Sequence, residues 1–421
     1  MKFRNRVHVF AAIVAATLVF GASTAESAPL SLRIDRAIHR SGLAAITGVY
    51  VYDASTGAAV YTHQPNMPIV PASNEKLITA AAALKRLGPD RTFRTRLALR
   101  GTQSGSTFRG NIYLVGGGDP SLATRTFGRR NLGMSTNVDG LWKALNARNI
   151  RRITGKLVVV DSYIDRSRFV SSWPVRFRYD QSPALGALTI NHATLGSTLA
   201  GQKVHNPALH AGSVLRAQLR KHGIRISGRT AQGKLAPDAS TIATLTSPSL
   251  RHIVRFMNLT SDNFTAEILL RDLGRIARGR GTTKAGTEEA SLQLALLGVD
   301  ASSFDIVDGS GLSYTNTTSA RALGTLLRIA QADPVIGSAV YRSLPSSGVS
   351  GTLSARMIHQ PYKSRVRAKT GTLGISSALT GTATRVNGRR YGFSIVTTSW
   401  AGIPTTSSRA LQDRIASILV R

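Results

Sequence analysis

The sequence predicts an α+β fold in which a second, mainly β domain is inserted into the first. Helical patterns and a hairpin fill the front of the chain, and strand-like runs between glycine turns follow from about residue 91. Long helical patterns return near residue 250, with more strands and a last helix behind them. The outer stretches, 28–90 and 250–421, therefore indicate one discontinuous domain, and 91–249 indicates the insertion.

The front of the chain contains three recognisable elements. Residues 30–42 place apolar side chains at helical spacing and end at a glycine, which predicts a helix. Residues 44–65 alternate apolar side chains around the turn-forming stretch "DASTG", which predicts a hairpin. An alanine-rich helical pattern then begins near Ser73.

The middle and the back of the chain differ in their patterns. The middle predicts strands at 92–101, 110–118 and 155–165, and one short amphipathic helix at 138–150. The back predicts helices at 247–277 and 286–298, strand regions at 365–386 and 389–399, and a final helix at 405–421. Only a short stretch, 192–207, separates the middle segments from a further helical pattern, so we expect a loop there.

The first residues have the layout of an export signal. "MKFRNR" is a short basic segment, residues 7–22 are apolar, and small residues then offer a cleavage point after Ala25 or Ser27. The sequence therefore predicts a signal peptide over 1–27 and an exported protein in the periplasm, at the outer face of the cytoplasmic membrane or in the cell wall. The apolar run is close to spanning length, so an uncleaved anchor stays open.

The charge of the chain is strongly positive. Lys and Arg number 54 against 21 Asp and Glu, for a formal net charge of +33, which favours anionic partners. Export and the lack of an aromatic stacking platform argue against nucleic acid, so we predict none. An anionic envelope polymer or a membrane surface is the partner that this charge predicts, with plain colloidal solubility as an equal alternative.

Composition and spacing exclude several other classes of site. The chain has no cysteine, so it has no disulfide, thiol nucleophile or cysteine-bound metal. Its nine histidines show no paired metal-ligand spacing, and we predict neither a metal nor an organic cofactor. The glycines at 116–118 are not followed by a lysine as in a phosphate-binding loop, and Asp119 and Asp308 are more typical of turns than of catalytic acids.

The stretch "VPASNEKLITAAAALKRLG", residues 70–88, poses the chemical question. Ser73 and Lys76 are three residues apart, so on a helix the lysine side chain would lean back over the serine hydroxyl. A lysine whose pKa is lowered by burial or by a second cation can act as the base that activates a serine. Taken alone, Ser-x-x-Lys arises by chance in a chain of this size, and a helix cap beside a solvated cation is the alternative.

Two further motifs support the catalytic interpretation. The stretch "SDN" begins at Ser261 in a helical region, and "KTGT" begins at Lys369 on a predicted strand. Ser-x-x-Lys, Ser-x-Asn and Lys-Thr-Gly in this order form the motif set of penicillin-binding proteins and serine β-lactamases. The long gap between the first two motifs, with "LVGGGDPSL", "DGSGLS" and "SGVSGTL", resembles the D-alanyl-D-alanine carboxypeptidase/endopeptidase family, the DacB-like class C low-molecular-mass penicillin-binding proteins. The resemblance covers about residues 30–399.

The resemblance implies a penicillin-binding-protein/serine β-lactamase-like transpeptidase domain and a role for each matching residue. Ser73 would be the acylated nucleophile and Lys76 its proton acceptor. Ser261 would pass the proton to the leaving amine, and Asn263 would hold the substrate amide. Lys369 would supply positive charge near the substrate carboxylate.

The third motif also implies substrate-binding residues. Thr370 and Thr372 would donate hydroxyl hydrogen bonds, with Gly371 between them. The backbone N–H groups of Ser73 and Thr372 would form the oxyanion hole.

The implied function is that of a serine-type D-Ala-D-Ala carboxypeptidase. It would act on peptidoglycan stem peptides through an acyl-enzyme and would be captured by β-lactams, and cleavage of cross-links is a second activity that the sequence leaves open. Arg176 and Arg178 precede the nearest acid after Trp173, Asp180, so the stem-peptide preference also stays open. The alternatives are a serine β-lactamase, for which Glu267 would have to activate water, and a non-catalytic basic protein that binds the cell wall.

Overall fold

The computed structural model describes residues 28–421, so the predicted signal peptide at 1–27 lies outside the described residues. The helices are α1 (Leu30–Ser41), α2 (Glu75–Leu87), α3 (Arg125–Phe127), α4 (Trp142–Asn146), α5 (Pro207–Lys221), α6 (Leu250–Thr260), α7 (Asn263–Arg278), α8 (Thr283–Leu296), α9 (Ala320–Ala332), α10 (Gly337–Ser343) and α11 (Thr405–Val420). The strands are β1 (Thr47–Asp53), β2 (Ala59–His63), β3 (Arg94–Ser104), β4 (Thr107–Val115), β5 (Leu122–Ala123), β6 (Thr136–Asn137), β7 (Arg152–Ile153), β8 (Leu157–Val160), β9 (Arg225–Ile226), β10 (Thr230–Gln232), β11 (Ser240–Thr246), β12 (Val366–Leu373), β13 (Ser376–Thr384) and β14 (Arg390–Thr398). None of the helices in this range is long and apolar enough to cross a membrane.

A five-stranded sheet joins the two ends of the chain, in the order β12-β13-β14-β1-β2. All its pairs are antiparallel, and β1 from the front of the chain pairs with β14 from the back, with Val51 opposite Phe393. Every residue of β1 is buried, because helices cover both faces of the sheet. Val49 and Val51 pack in the core that α1 and α11 cover, while Tyr50 and Tyr52 pack on the side of α9. A central strand that is buried on both faces explains why its apolar run is nearly continuous.

Helix α2 is deeply buried among other helices. It contacts α6, α7, α8 and α9, and its first ten residues, 75–84, are all buried. The small side chains of Ala80–Ala83 allow this close packing on every side, which a helix with a polar face could not reach. Any charged side chain in its first turn is therefore forced into the protein interior.

A seven-stranded sheet forms from the middle of the chain. Its main path is β10-β8-β4-β3-β11, with β7 beside β4 and β9 beside β7. The pairs are antiparallel around β3 and parallel around β8, and α5 packs against β8. All these strands fall between residues 91 and 249, and we propose these limits for an inserted domain. Residues 194–206 contain no helix or strand, only the isolated bridge between Thr194 and Lys203.

The structure differs from the sequence prediction at two of the motifs. Ser73 lies in the short 3-10 turn Ala72–Asn74, which precedes α2, because Ala72 takes a left-handed conformation with φ 47° and turns the chain just before the helix. Ser261 does not lie within one helix. It caps the end of α6 at φ 59°, and the next residue, Asp262, caps the start of α7 by accepting a hydrogen bond from the backbone N–H of Thr265. The serines of the first two motifs thus lie on turns next to regular helices.

Candidate active site

Lys76 is the centre of the site and is completely buried. Its Nζ lies 2.6 Å from Asn263 Oδ1, 2.6 Å from the carbonyl oxygen of Ser310 and 3.0 Å from Ser73 Oγ. The first motif, with Ser73 and Lys76, and the second motif, with Asn263, therefore meet at the amine of Lys76. The Ser310 carbonyl, which the sequence did not predict to lie here, contacts the same amine. The two shorter contacts end on atoms that can only accept a hydrogen bond, and only the serine hydroxyl can also donate one.

The protonation of Lys76 follows from its burial. Burial lowers the pKa of Lys76 to about 8, and neighbouring carboxyl groups, led by Asp308, oppose this shift. The sequence suggested that a second cation also lowers the pKa of Lys76. In the structure it is Lys369 whose pKa is lowered well below its usual value, first by burial and then by the charge of Lys76.

Glu267 is a buried acid that holds the turn behind Lys76. Its Oε1 accepts hydrogen bonds from the backbone N–H groups of Gly309, at 3.0 Å, and Ser310, at 2.8 Å. These bonds fix the Ser310 carbonyl that faces Lys76. Burial, and next the charge of Asp308, raises the pKa of Glu267 to about 8. Because the Glu267 side chain is completely buried and this oxygen is engaged with the turn, the geometry gives no support to Glu267 as the water-activating group of a β-lactamase.

Asp308 organises the same turn from its other side and is fully buried. Its carboxylate accepts hydrogen bonds from the backbone N–H groups of Gly311 and Ser313, both at 2.7 Å, and from Nδ2 of Asn316, at 2.9 Å. A fourth bond, of 2.8 Å, comes from the indole N–H of Trp173, which belongs to the inserted stretch. One carboxylate thus ties the insertion to the turn that positions Lys76.

Replacing Asp308 by alanine is expected to lower the free energy of unfolding by about 3 kcal/mol or more, because several buried donors lose their acceptor at once. Urea denaturation followed by circular dichroism measures this change. Asp300→Ala is the control, since Asp300 also accepts several local hydrogen bonds but is exposed. Equal losses of unfolding free energy in the two variants would show that the buried hydrogen bonds of Asp308 stabilise the protein no more than the exposed ones of Asp300.

Ser261 and Lys369 form a second cluster beside the first. Nζ of Lys369 donates hydrogen bonds to Ser261 Oγ, at 2.8 Å, and to the carbonyl oxygen of Thr370, at 2.7 Å. Lys369 is fully buried, whereas Ser261 is half-buried. Among residues 28–421 no direct side-chain hydrogen bond links this cluster to Ser73 or Lys76. A bound substrate would lie where the two clusters meet.

The third motif runs along β12, the edge strand of the five-stranded sheet. Gly371 passes so close to the turn of Ser73 that a Cβ atom there would lie 2.9 Å from the carbonyl oxygen of Pro71 and 3.0 Å from the backbone nitrogen of Ser73. A side chain at this position would push the strand away from the turn of Ser73. Glycine therefore keeps the two predicted oxyanion donors, the N–H groups of Ser73 and Thr372, on neighbouring segments.

Both threonine hydroxyls of the third motif have partners that the sequence analysis did not find. Thr370 Oγ1 donates to Thr352 Oγ1 at 2.7 Å, and an amino group of Arg409 donates to Thr372 Oγ1 at 3.2 Å. Thr352 belongs to the stretch "SGVSGTL", which the sequence analysis quoted without giving it a role. Arg409 lies in the first turns of α11, and no local motif marks it.

The inserted stretch also reaches the site. Nδ2 of Asn263 donates to the carbonyl oxygen of Gln181 at 2.7 Å, so one amide bridges Lys76 and the insertion. Arg176 donates to the hydroxyl of Tyr314 at 2.9 Å and lies over its ring. Asp180, the nearest acid after Trp173, accepts a hydrogen bond from its neighbour Gln181. The side of the site formed by the insertion is thus marked by a cation and aromatic rings.

The comparison with family models decides the affiliation. A model described as the D-Ala-D-Ala carboxypeptidase 3 (S13) family matches residues 30–203 and 185–421. The chain belongs to the D-Ala-D-Ala carboxypeptidase 3 (S13) family. This confirms the predicted family, and at the level of the family it confirms the prediction of a serine-type D-Ala-D-Ala carboxypeptidase.

Relatives of this S13 family member cover most of its length. It is 30% identical over 450 residues to a D-alanyl-D-alanine carboxypeptidase of Actinomadura sp. (strain R39), with 88% of this chain and 80% of that protein covered. It is 31% identical over 399 residues to carboxypeptidase DacB of Mycolicibacterium smegmatis, with 93% and 83% covered. The crystal structure of penicillin binding protein 4 (dacB) from Haemophilus influenzae superposes with a TM-score of 0.77 at 21% identity, covering 91% of this chain and 97% of that one. The superposition confirms the predicted α+β penicillin-binding-protein-like fold.

No metal site accompanies these groups in the part of the S13 chain that the structure describes. No cluster of three or more His, Cys, Asp or Glu side chains could hold a metal ion there. The absence of a metal and of an organic cofactor from the reaction stays a prediction.

Proposed function

We propose that this protein is a serine-type D-Ala-D-Ala carboxypeptidase that cleaves peptidoglycan stem peptides through an acyl-enzyme on Ser73. One observation carries the assignment of the nucleophile and its base. A neutral amine has two N–H groups and one lone pair, and Asn263 and Ser310 accept two hydrogen bonds from Lys76. The lone pair is then left for the hydroxyl of Ser73, 3.0 Å away.

The acylation step follows from this geometry. Neutral Lys76 takes the hydroxyl proton while Ser73 Oγ attacks the carbonyl carbon of the penultimate D-alanine. The backbone N–H groups of Ser73 and Thr372 stabilise the oxyanion. Ser261 relays the proton that Lys76 took to the amine of the last D-alanine as the peptide C–N bond breaks and that residue leaves, so Lys76 is neutral again. Water then hydrolyses the ester, releases the shortened peptide and restores the hydroxyl.

The third motif is proposed to hold the terminal carboxylate of the substrate. A carboxylate beside Lys369 would favour the charged form of this lysine and raise its lowered pKa. The hydroxyls of Thr370 and Thr372 would add hydrogen bonds, and Arg409, already bonded to Thr372, would add a second cation. Asn263 would hold the substrate amide after it has left the carbonyl of Gln181.

The remaining proposals concern other ligands and the location of the enzyme. The same acyl-enzyme chemistry would capture β-lactams, and cross-linked stem peptides would be a second substrate if the site admits them. Family membership supports an exported protein, and we propose the periplasm or the outer face of the cytoplasmic membrane or cell wall as its location. With a net charge of +33 we propose an anionic envelope polymer or a membrane surface as a further partner, and no nucleic acid.

The test combines intact-protein mass spectrometry with a release assay. The protein is mixed with benzylpenicillin and sampled from seconds to hours. D-alanine is measured after incubation with a pentapeptide, and the appearance of monomer peptides is measured after incubation with a cross-linked peptide dimer. We expect an adduct of one equivalent that persists, together with release of D-alanine. Rapid loss of penicillin without a lasting adduct would identify a β-lactamase. Neither adduct nor turnover would leave the basic wall-binding protein.

A further inference from the structure

A cleft of about 600 Å³ lies between the first and last helices, away from the residues of the active site. Five arginines line it and define what we call the arginine cleft: Arg33, Arg36 and Arg40 of α1, Arg414 of α11, and Arg421. Their spacing of three, four or seven residues along each helix puts them on the helix faces that meet at the cleft. The floor is apolar, with Ala37, Leu411 and Ile418 among its residues.

The positive charge of the arginine cleft is not balanced by carboxylates of the two helices. Each helix has one acid, and each acid is engaged elsewhere. Asp35 accepts a hydrogen bond of 2.5 Å from the hydroxyl of Tyr61, and Asp413 forms a salt bridge of 2.7 Å with Arg356. Within the described range 28–421, none of the five guanidinium groups forms a salt bridge or donates a side-chain hydrogen bond.

The arginines are also close enough to repel one another. Burial lowers the pKa of Arg33, and the charges of Arg385, Arg421 and Arg414 lower it further. A cavity that gathers like charges without a counter-ion is a poor structural element, because each added guanidinium weakens the others. An anion in the cleft would reverse this repulsion. The planar fork of a guanidinium matches the oxygens of a phosphate group, to which it can donate two parallel hydrogen bonds.

Two exposed aliphatic side chains lie beside the arginine cleft and favour a lipid as the source of the phosphate. Leu32, 39% exposed, precedes Arg33 on α1. Val386, 52% exposed, follows Arg385, and its backbone N–H bonds to the carbonyl oxygen of Val420 at the end of α11. Basic side chains beside exposed aliphatic ones are typical of surfaces that lie on anionic membranes.

We propose that the arginine cleft binds the phosphate group of an anionic phospholipid headgroup and so holds this face of the protein against the membrane. The proposal rests on the export and the anionic partner suggested under the proposed function and gives that partner a chemical class and a site. It does not depend on the catalytic role of any residue. The active site would then work at a fixed orientation to the membrane.

The test is sedimentation of the protein with phosphatidylcholine vesicles that contain or lack phosphatidylglycerol. We expect the double variant Arg33→Gln/Arg414→Gln to bind the phosphatidylglycerol vesicles about thirtyfold more weakly than the parent protein. The matched control is Arg151→Gln/Arg220→Gln, which loses the same charge from exposed positions of the inserted stretch. The affinity of the control for these vesicles is expected to stay within about twofold of that of the parent, because scattered surface charges contribute less to binding than arginines gathered in one cleft.

The other outcomes overturn the proposal. Equal weakening in both double variants would mean a diffuse attraction, and no weakening in the cleft variant would remove the cleft from membrane binding. If inorganic phosphate or a soluble phosphodiester polymer raises the melting temperature of the parent but not of the cleft variant, while vesicles bind neither, the ligand is not a lipid. Acylation by benzylpenicillin is measured on all samples. We expect it to be unchanged in both variants, so its failure in the parent would count against the catalytic proposal alone.

Discussion

Replacing Ser73 by alanine is expected to abolish the covalent adduct with benzylpenicillin and to reduce D-alanine release to background. The reason is chemical, because the variant lacks the oxygen that would form the ester, and Lys76 then has no hydroxyl to deprotonate. Intact-protein mass spectrometry detects the adduct directly, and a coupled assay measures D-alanine. The fold should survive, since alanine fits a turn whose backbone is already fixed by Ala72 and Asn74.

The control for this prediction is Ser303→Ala. Ser303 is half-buried like Ser73 and also lies in a short 3-10 turn, but outside the site. It should keep the adduct and the release rate of the parent. An adduct that persists in Ser73→Ala would move the nucleophile to another side chain, with Ser261 as the first to test.

Replacing Lys76 by glutamine is expected to slow acylation by roughly a thousandfold or more, within the range seen when a general base is removed. Glutamine can still donate hydrogen bonds to Asn263 or Ser310, but it cannot take the serine proton. Stopped-flow measurement of the acylation rate with a chromogenic β-lactam provides the comparison. The matched control is Lys85→Gln on the same helix, where the lysine is partly exposed and pairs with Asp333. It should change the rate by less than about twofold.

The pH dependence of the parent protein tests the same base. Lys76 acts in its neutral form, and burial lowers its pKa to about 8, so the acylation rate should rise with pH up to about 8 and level off above it. Lys76→Gln should lose this rise. A rate that falls between pH 7 and 9, or a rise that remains in Lys76→Gln, would contradict the assignment of the base.

Local spacing and motif order were enough to predict the main residues of the site. Contacts between residues from distant segments of the chain could not be predicted in this way. Ser73 and Lys76 could be paired because three residues separate them on a regular backbone. The roles of Glu267 and of the Ser310 carbonyl could not be predicted, because both depend on the packing of α7 against the turn at 308–311. Arg409 reaches Thr372 only because the last helix lies beside the edge strand.

The class of the fold could be predicted from the sequence, but some of its helix boundaries could not. Changes in hydrophobic pattern near residues 91 and 250 indicated an insertion, since strand and helix periods differ, and its limits stay a prediction. The break between α6 and α7 at Ser261 was missed, because "TSDN" sits between two helical patterns and carries neither glycine nor proline to mark an end.

The pairing of β1 with β14 has a consequence for the order in which the enzyme matures. Thr47 and Thr397, which share a hydrogen bond between these strands, are 350 residues apart, so the sheet closes only when nearly the whole chain has been delivered. The strands of the inserted stretch pair with nearer neighbours and can assemble earlier. The third motif also lies late in the chain, on β12. During synthesis and transport the nucleophile therefore emerges long before the strand that completes its surroundings, and a partly delivered chain should be inert toward substrate.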